Sequence, residues 1–304
     1  MTAGVPAVLV VSYGSHQLVA ENLARTVLPG GALIAVVDNY TTDQERAAMV
    51  ELADREGWHL VGPDRNLGFG SGMNAAAARA AELGATSYIL LNPDAYVVGD
   101  GVATLADRVA ADPSAVISPL VVRPDGTHFA SAMELDLDTG AVRRVRKGRR
   151  FDRSALWLSG ACLAVSREMW ERIGGFDEDY FLYWEDIDLS VRAVAAGARL
   201  EVATDVKAVH SAGGTQSVAE GGKSSVYYFY NVRNRLVFAA QHLEPDAQRR
   251  WRRGSIPAAW AILLRGGRRQ LLHPRRTIVP AWRGTASGLA YMRRRARSAS
   301  GVIS

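Results

Sequence analysis

Four short runs of apolar, largely β-branched residues punctuate the first hundred positions: AVLVVSY (7–13), ALIAVVD (32–38), WHLVGP (58–63) and SYILLNPD (87–94). They are continuous rather than alternating, as in strands buried on both faces of a parallel sheet, and stretches of helical spacing separate them. The pattern predicts an α/β domain with a Rossmann-like, mostly parallel sheet flanked by helices. Ligands of such sheets meet the residues just past the strand ends. Those residues are Tyr13, Asp38 with Asn39, Asn66 and Asp94, all polar.

After Pro93 the alternation fades. Residues 121–150 read as a hairpin-rich excursion with a basic end, and ALWLSGACLAVS (155–166) as a further strand. Amphipathic spacing predicts a helix over Trp184 to Ala196, stopped by Gly197, and RLEVATDVKAVH (199–210) reads as another strand. Beyond about Gly222 the pattern turns helical, so a boundary is expected between Gly213 and Gly222. The division is a main domain of 1–220 and a helical region of 221–304. There is no internal repeat and no low-complexity tract.

Composition adds three points. With 304 residues, 48% hydrophobic and 22% charged, the chain can build a large core, which excludes overall disorder. The single cysteine, Cys162, has no internal disulfide partner and reads as a buried apolar residue. The net charge of +5 hides a division: Ala247 to Ser304 carries 14 arginines and no lysine or acid, so the tail is +14 and the rest −9. The apolar run Ile256 to Leu264 is about half the length of a bilayer span, and the N-terminus lacks a basic n-region. A cytoplasmic protein without a transmembrane helix is expected.

Candidate chemistry lies at the strand ends. NLGFGSGMNAAAARAAELG (66–84) opens an alanine-rich helix with three glycines, including Gly70, which allow close backbone approach and leave amides for a phosphate or polar base. Tight helix-to-sheet packing is the competing reason for them. A dinucleotide fingerprint would need glycine at Met73 and a place after the first strand, so a nicotinamide cofactor is not expected. LLNPDA (90–95) places Asn92 and Asp94 in a turn that suits Mg²⁺ or Mn²⁺ shared with substrate phosphates, although Asn-Pro-Asp is also common punctuation. His210 closes the strand 199–210 at a glycine-containing loop. Finally, YFLYWEDIDLSVRAVAAG (180–197) sets Glu185 and Asp186 directly behind four aromatics.

Taken in order, the strand ending in Ser12-Tyr13, the strand ending in Asp38-Asn39, NLGFGSGMN, LLNPDA, LSGACLAVSREMWERIGGFDEDYFLYWEDIDLSVRAVAAG and VHSAGGTQS resemble family 2 glycosyltransferases of the GT-A fold. The likeness is closest to the rhamnosyltransferase-like branch and covers about residues 7–235. It implies inverting transfer of a sugar from a nucleoside diphosphate, with a nucleotide-binding part of about 1–95 and an acceptor part of about 96–220. Ser12, Tyr13, Asp38, Asn39, Asn66, Gly70, Asn92 and Asp94 would then serve the nucleotide, and Gly160, Trp184 and Glu185 the acceptor. Asp94 and His210 would hold Mn²⁺ or Mg²⁺. Asn92 stands where a stricter D-x-D pattern has its first acid, leaving one anionic ligand in the turn.

The resemblance favours Asp186 as general base, with Glu185 holding an acceptor hydroxyl or steadying the loop. On a helix, adjacent residues point about 100° apart, so the two acids cannot share one hydroxyl. Aromatic neighbours raise a carboxylate pKa by desolvation. The plain alternative is a first-turn preference for acids at a helix N-terminus. Asp188 is expected to form an i, i+4 pair with Arg192 on a solvated face.

A glycoside hydrolase also needs two acids, about 5 to 9.5 Å apart, but has no use for a nucleotide-cradling loop. A nucleic-acid binder is disfavoured because the net positive charge is confined to the tail and the expected cleft is acidic. The tail's arginines alternate with Trp251, Trp260, Trp282 and Tyr291, which points to an anionic membrane surface at the inner face of the plasma membrane, a helical appendage or dimer contact being the alternative. The rhamnosyltransferase-like resemblance suggests dTDP-rhamnose as donor and a glycan or polyprenyl-linked hydroxyl as acceptor, with a small natural product as the alternative acceptor. Tyr228, Asn231, Arg233 and Asn234 form a further polar cluster, placed by the resemblance near the diphosphate or acceptor.

Overall fold

A computed structural model of the chain describes residues 4–130, 132–145, 151–211 and 223–301, and the expected boundary at Gly213–Gly222 lies outside them. Two compact units are present. The first comprises residues 1–133, 156–181 and 185–215, and the second 134–155, 182–184 and 216–304.

The first unit is built on the four apolar runs. They form strands β1 (Pro6–Ser12), β2 (Leu33–Asp38), β3 (His59–Val61) and β4 (Ser87–Leu91), joined by helices α1 (His16–Leu23), α2 (Asp43–Glu56) and α3 (Phe69–Glu82). Then follow β5 (Ala95–Val97), α4 (Gly101–Ala111), β6 (Ala115–Val122) and β7 (His128–Ala130). The nine-stranded sheet has the order β3-β2-β1-β4-β11-β6-β12-β5, with β7 on β6, where β11 is Cys162–Ser166 and β12 is Arg199–His210. Strands β1 to β4 are parallel, β11 runs antiparallel between β4 and β6, and β12 is parallel to β6. Helices α5 (Arg167–Ile173) and α6 (Glu185–Ala195) complete the unit.

Burial on both faces explains the unbroken hydrophobicity of these strands. Ala7, Leu9 and Val11 of β1 pack with Met73, Ala76 and Ala80 of α3, Met169 of α5 and Leu189 of α6. The intervening Val8 and Val10 face Val19 of α1, Met49 of α2 and Leu105 of α4. Successive side chains of a strand point to opposite faces, so both sets must be apolar. Cys162 sits in this core, its thiol pushed up to about 12 by burial, and is inert.

Strand β6 lies in a stretch read from the sequence as irregular. Pro119 interrupts its apolar run, and a central proline argues against a strand. The register of β12 against β6 shifts between Ala203, opposite Pro119, and Lys207, opposite Leu120, so a bulge accommodates the missing donor.

The second unit contains β8 (Met133–Asp136), β9 (Val142–Arg144) and helices α7 (Ser225–His242), α8 (Pro245–Arg253), α9 (Ser255–Leu264) and α10 (Ile278–Gly301). β10 (Ser154–Trp157) pairs with β8 in a three-stranded sheet of order β10-β8-β9. Arg235 of α7 is buried, stacks over Trp251 at 4.3 Å and donates to Thr139 O (2.7 Å). The Trp251 indole donates to Leu137 O (3.0 Å). These bonds dock α7 and α8 on the hairpin around residues 137–140. Among the described residues no helix is long and apolar enough to cross a membrane.

Candidate active site

The parallel register brings the polar strand ends to one edge of the sheet. Ser12 pairs with Asp38 at the ends of β1 and β2. β4, β6 and β12 run in the same direction as β1, so Asn92, Asp94 and His210 emerge on that edge as well.

Asp38 is fully buried. One carboxylate oxygen accepts from Arg46 Nε, and Arg46 also donates to Pro63 O (2.6 Å) and Gly62 O (3.2 Å). The other oxygen, Oδ1, is buried without a hydrogen-bond partner. Asn39 braces the next loop: its Nδ2 donates to Gly68 O (2.8 Å) and its Oδ1 accepts from Leu67 N (3.0 Å). Asn66 caps the same loop by accepting from Gly68 N (2.8 Å). Tyr13 stands open at 49% exposure, a surface on which a ring can stack.

The glycines of 68–72 have a packing reason. At Gly68, with φ +84°, a Cβ would lie 2.3 Å from Phe181 O; at Gly70 it would lie 2.9 Å from Phe176 Cβ. The Phe69 amide, at the start of α3, already donates to Phe181 O (2.9 Å), so the loop presents fewer free amides than the sequence implied.

Asp94 Oδ1 lies 3.0 Å from His210 Nε2, and Asn92 Nδ2 lies 3.3 Å from the same nitrogen. Ser211 N donates to Asp94 O (2.9 Å), which ties the end of β12 to the turn, and Phe129 meets the His210 ring edge-to-face at 4.7 Å. Asn92 Oδ1 and His210 Nδ1 are buried without hydrogen-bond partners. The Asp94 carboxylate and the unpartnered Asn92 amide oxygen in the turn, with the His210 imidazole brought beside them by β12, fit a hard divalent cation. Among the described residues no group of three or more His, Cys, Asp or Glu could hold a metal ion by itself.

Glu185 and Asp186 open α6. Asp186 is half-buried; its Oδ2 accepts from Gly160 N (3.1 Å) and its Oδ1 from Ile187 N (2.9 Å). Burial raises its pKa to about 6, against the lowering effect of these two bonds. Glu185 is buried and its Oε2 has no hydrogen-bond partner. Burial, then repulsion from Asp186, pushes its carboxyl well above the usual range.

The acid pair and the Asn92–Asp94 turn meet at one dipeptide. Gly160 N–H faces Asp186, while Asn92 N donates to Ala161 O (3.0 Å). A Cβ at Gly160 would touch Asp186 Cβ at 3.4 Å, so a larger residue would press on the carboxylate.

A model of the glycosyltransferase-like family 2 matches residues 4–227. The chain belongs to glycosyltransferase family 2. The N-acetylglucosaminyl-diphospho-decaprenol L-rhamnosyltransferase of Mycobacterium tuberculosis (strain H37Rv) is 31% identical over 226 residues, 65% of this chain and 72% of the relative. The dTDP-rhamnosyl transferase RfbF of Shigella flexneri is 24% identical, over 78% of this chain and 80% of its own. Among solved structures, the mannosyltransferase PcManGT of Pyrobaculum calidifontis, in complex with GDP-Man and Mn²⁺, matches with TM-score 0.54 at 17% identity, over 96% of this chain and 85% of its own. GalNAc-T7 with UDP, GalNAc and Mn²⁺ matches with TM-score 0.56 at 15% identity; 83% of this chain is covered but only 55% of that protein, so this chain spans about half its length. The fold of this glycosyltransferase is GT-A, as expected.

Two expectations change. Asp188 does pair with Arg192 (2.6 Å), but it is fully buried rather than on a solvated face, and Arg192 also donates to Ile173 O (2.8 Å), locking α6 to the end of α5. Trp184 is buried in the second unit against Phe238 (5.6 Å) and Trp251 (6.2 Å). Sequence reasoning missed Arg46 and Ser190. Ser190 Oγ accepts from Leu158 N (3.1 Å) and donates to Asp186 O (2.8 Å), bracing the acid-bearing turn. Its spacing of four residues from Asp186 is a signal, though a weak one. Arg46, eight residues beyond Asp38, carries none.

Proposed function

We propose that this glycosyltransferase moves rhamnose from dTDP-rhamnose to a hydroxyl of a glycan or polyprenyl-linked acceptor, with inversion. The observation that carries the mechanism is Asp186: a carboxylate raised to about 6 and joined through Gly160–Ala161 to the Asn92–Asp94 turn. A base of that pKa is ionised at neutral pH yet basic enough to accept a hydroxyl proton. The acceptor O–H proton passes to Asp186 as the acceptor oxygen bonds to the anomeric carbon. The bond from that carbon to the diphosphate oxygen breaks, and its electron pair leaves with the diphosphate. Glu185, whose carboxyl is pushed above the usual range by burial and then by repulsion from Asp186, holds and orients the acceptor hydroxyl.

Asp94 and His210, with Asn92 Oδ1 beside them, would hold Mn²⁺ or Mg²⁺, and such an ion would supply charge stabilisation for the leaving diphosphate. Asp38 Oδ1 and the exposed Tyr13 ring serve the nucleoside base, and Ser12, Asn39, Asn66 and Gly70 shape that pocket. Rhamnose, dTDP and a lipid-linked acceptor are supported by the names of the mycobacterial and Shigella relatives.

The second unit supports peripheral attachment to the inner leaflet. Exposed Ile256 (76%), Trp260 (50%) and Leu264 are spaced by four along α9, and Trp282 (70%) stands on α10, among arginines unopposed by any acid after Asp246. Exposed tryptophan with arginine is the chemistry of an anionic lipid surface.

Calorimetric titration of dTDP, UDP and GDP, with and without Mn²⁺ or Mg²⁺, tests the donor site. Metal-dependent binding of dTDP, weakened at least about tenfold in Asp94→Ala, is expected. Absence of binding by every nucleotide under every condition would remove the proposal.

A further inference from the structure

Two consecutive residues, Tyr183 (φ +64°) and Trp184 (φ +75°), adopt left-handed backbone. Neither is a glycine, asparagine or aspartate, which enter that region readily; large side chains persist there only where their surroundings over-determine them. The turn Leu182–Trp184 belongs to the second unit, and Glu185, one peptide bond on, opens α6 of the first. Its backbone direction therefore sets where the first turn of α6 starts.

The clamp on this turn is Asn234 of α7. It is completely buried, and its Nδ2 donates one hydrogen to Leu182 O (2.9 Å) and the other to Tyr183 O (2.8 Å). Its Oδ1 accepts from Arg233 Nη1 (2.5 Å), which fixes the amide orientation. The Tyr183 ring meets Tyr227 edge-to-face at 5.3 Å, holding the outer side of the turn. Carbonyls at a left-handed turn have no helical partner, and a side-chain amide with two hydrogens on one nitrogen satisfies both.

We infer that Asn234 is a positioning residue for the acid pair: it holds the left-handed turn Leu182–Trp184 in the shape from which Glu185 and Asp186 begin α6. The inference rests on Asp186 acting as base, but the clamp can be read without turnover.

Asn234→Ala should lower kcat at least about tenfold, because small displacements of a catalytic group are costly, while the dTDP dissociation constant stays within about twofold. Amide hydrogen exchange over residues 183–187 should accelerate at least about tenfold, reporting the freed turn. Glycine adopts the left-handed region without a side-chain penalty, so Asn234→Ala combined with Tyr183→Gly should recover a substantial part of the lost kcat. Asn234→Ser, which can bond one carbonyl, should fall between wild type and Asn234→Ala, and it carries the test if the alanine variant does not fold. Unchanged kcat, a loss of nucleotide affinity parallel to that of kcat, or a double variant no better than Asn234→Ala would each overturn the inference. A wild type that transfers no sugar removes the proposed function alone; exchange at 183–187 that neither single variant accelerates removes the clamp alone.

Discussion

Asp186 and Glu185 are neighbours in sequence with different surroundings, and their chemistry follows from the difference. Two backbone N–H bonds keep Asp186 near 6, whereas Glu185, with an unpartnered oxygen, is raised well beyond the ordinary carboxylate range. Asp186→Asn should reduce kcat by about 10²- to 10⁴-fold, the usual value of a general base, with nucleotide binding retained. Steady-state rates should climb as pH rises through about 6, where Asp186 loses its proton, and level off above; a profile flat from pH 5 to 8 would exclude it as the base. Stability runs the other way. A carboxyl whose folded pKa is raised binds its proton more tightly in the folded chain, so its contribution is fully present below the ordinary pKa and is lost as pH rises through the raised value. Glu185→Gln should therefore raise Tm by at least about 2 °C at pH 8, with the gain vanishing near pH 4. A lower Tm at both pH values would show that the charge is better solvated than its burial implies.

At the scale of elements, continuous apolar runs were legible as strands because both faces of the sheet are covered, a requirement written into every residue of β1, β2 and β4. β12 was legible from end to end. β6 was not, since Pro119 breaks its pattern and only the bulge in β12 makes it acceptable. ALWLSGACLAVS reads as one strand but forms two, β10 and β11, separated by the Gly160 turn that meets Asp186. The glycines before α3 could be located but not explained from sequence, because what they avoid, Phe181 and Phe176, lies over a hundred residues away. Gly68→Ala should cost about 3 kcal/mol or more, combining the left-handed φ with a collision against backbone. Gly84→Ala is the comparison: its φ is +87° but nothing lies within 4 Å of the added Cβ, so about 1 kcal/mol is expected. Thermal melts of the two variants read the difference.

On the scale of the whole molecule, charge and hydrophobic exposure separate the chain into parts of different surface character. The arginines after Asp246 and the exposed Trp260 and Trp282 lie in the second unit, while the acids proposed for catalysis lie in the first. Flotation with anionic liposomes should recover the protein, and Trp260→Ser with Trp282→Ser should reduce recovery several-fold. Equal recovery with neutral liposomes would show that lipid charge plays no part. By itself the sequence determined the α/β class with a mostly parallel sheet, the polar strand ends and the presence of two adjacent carboxylates at the start of a helix. Each is encoded in short-range order: hydrophobic periodicity, the residues at the end of a run, two adjacent carboxylates. Only the tertiary structure decided that residues 134–155 group with the C-terminal helices, that Gly160–Ala161 joins the Asn92–Asp94 turn to Asp186, and that Asn234 holds the turn before Glu185. These are hydrogen bonds, each with a backbone group on at least one side, between residues 26 to 69 positions apart, or groupings wider still. No local pattern specifies a partner at that distance, and the burial that sets both carboxyl pKa values exists only once the chain has closed around them.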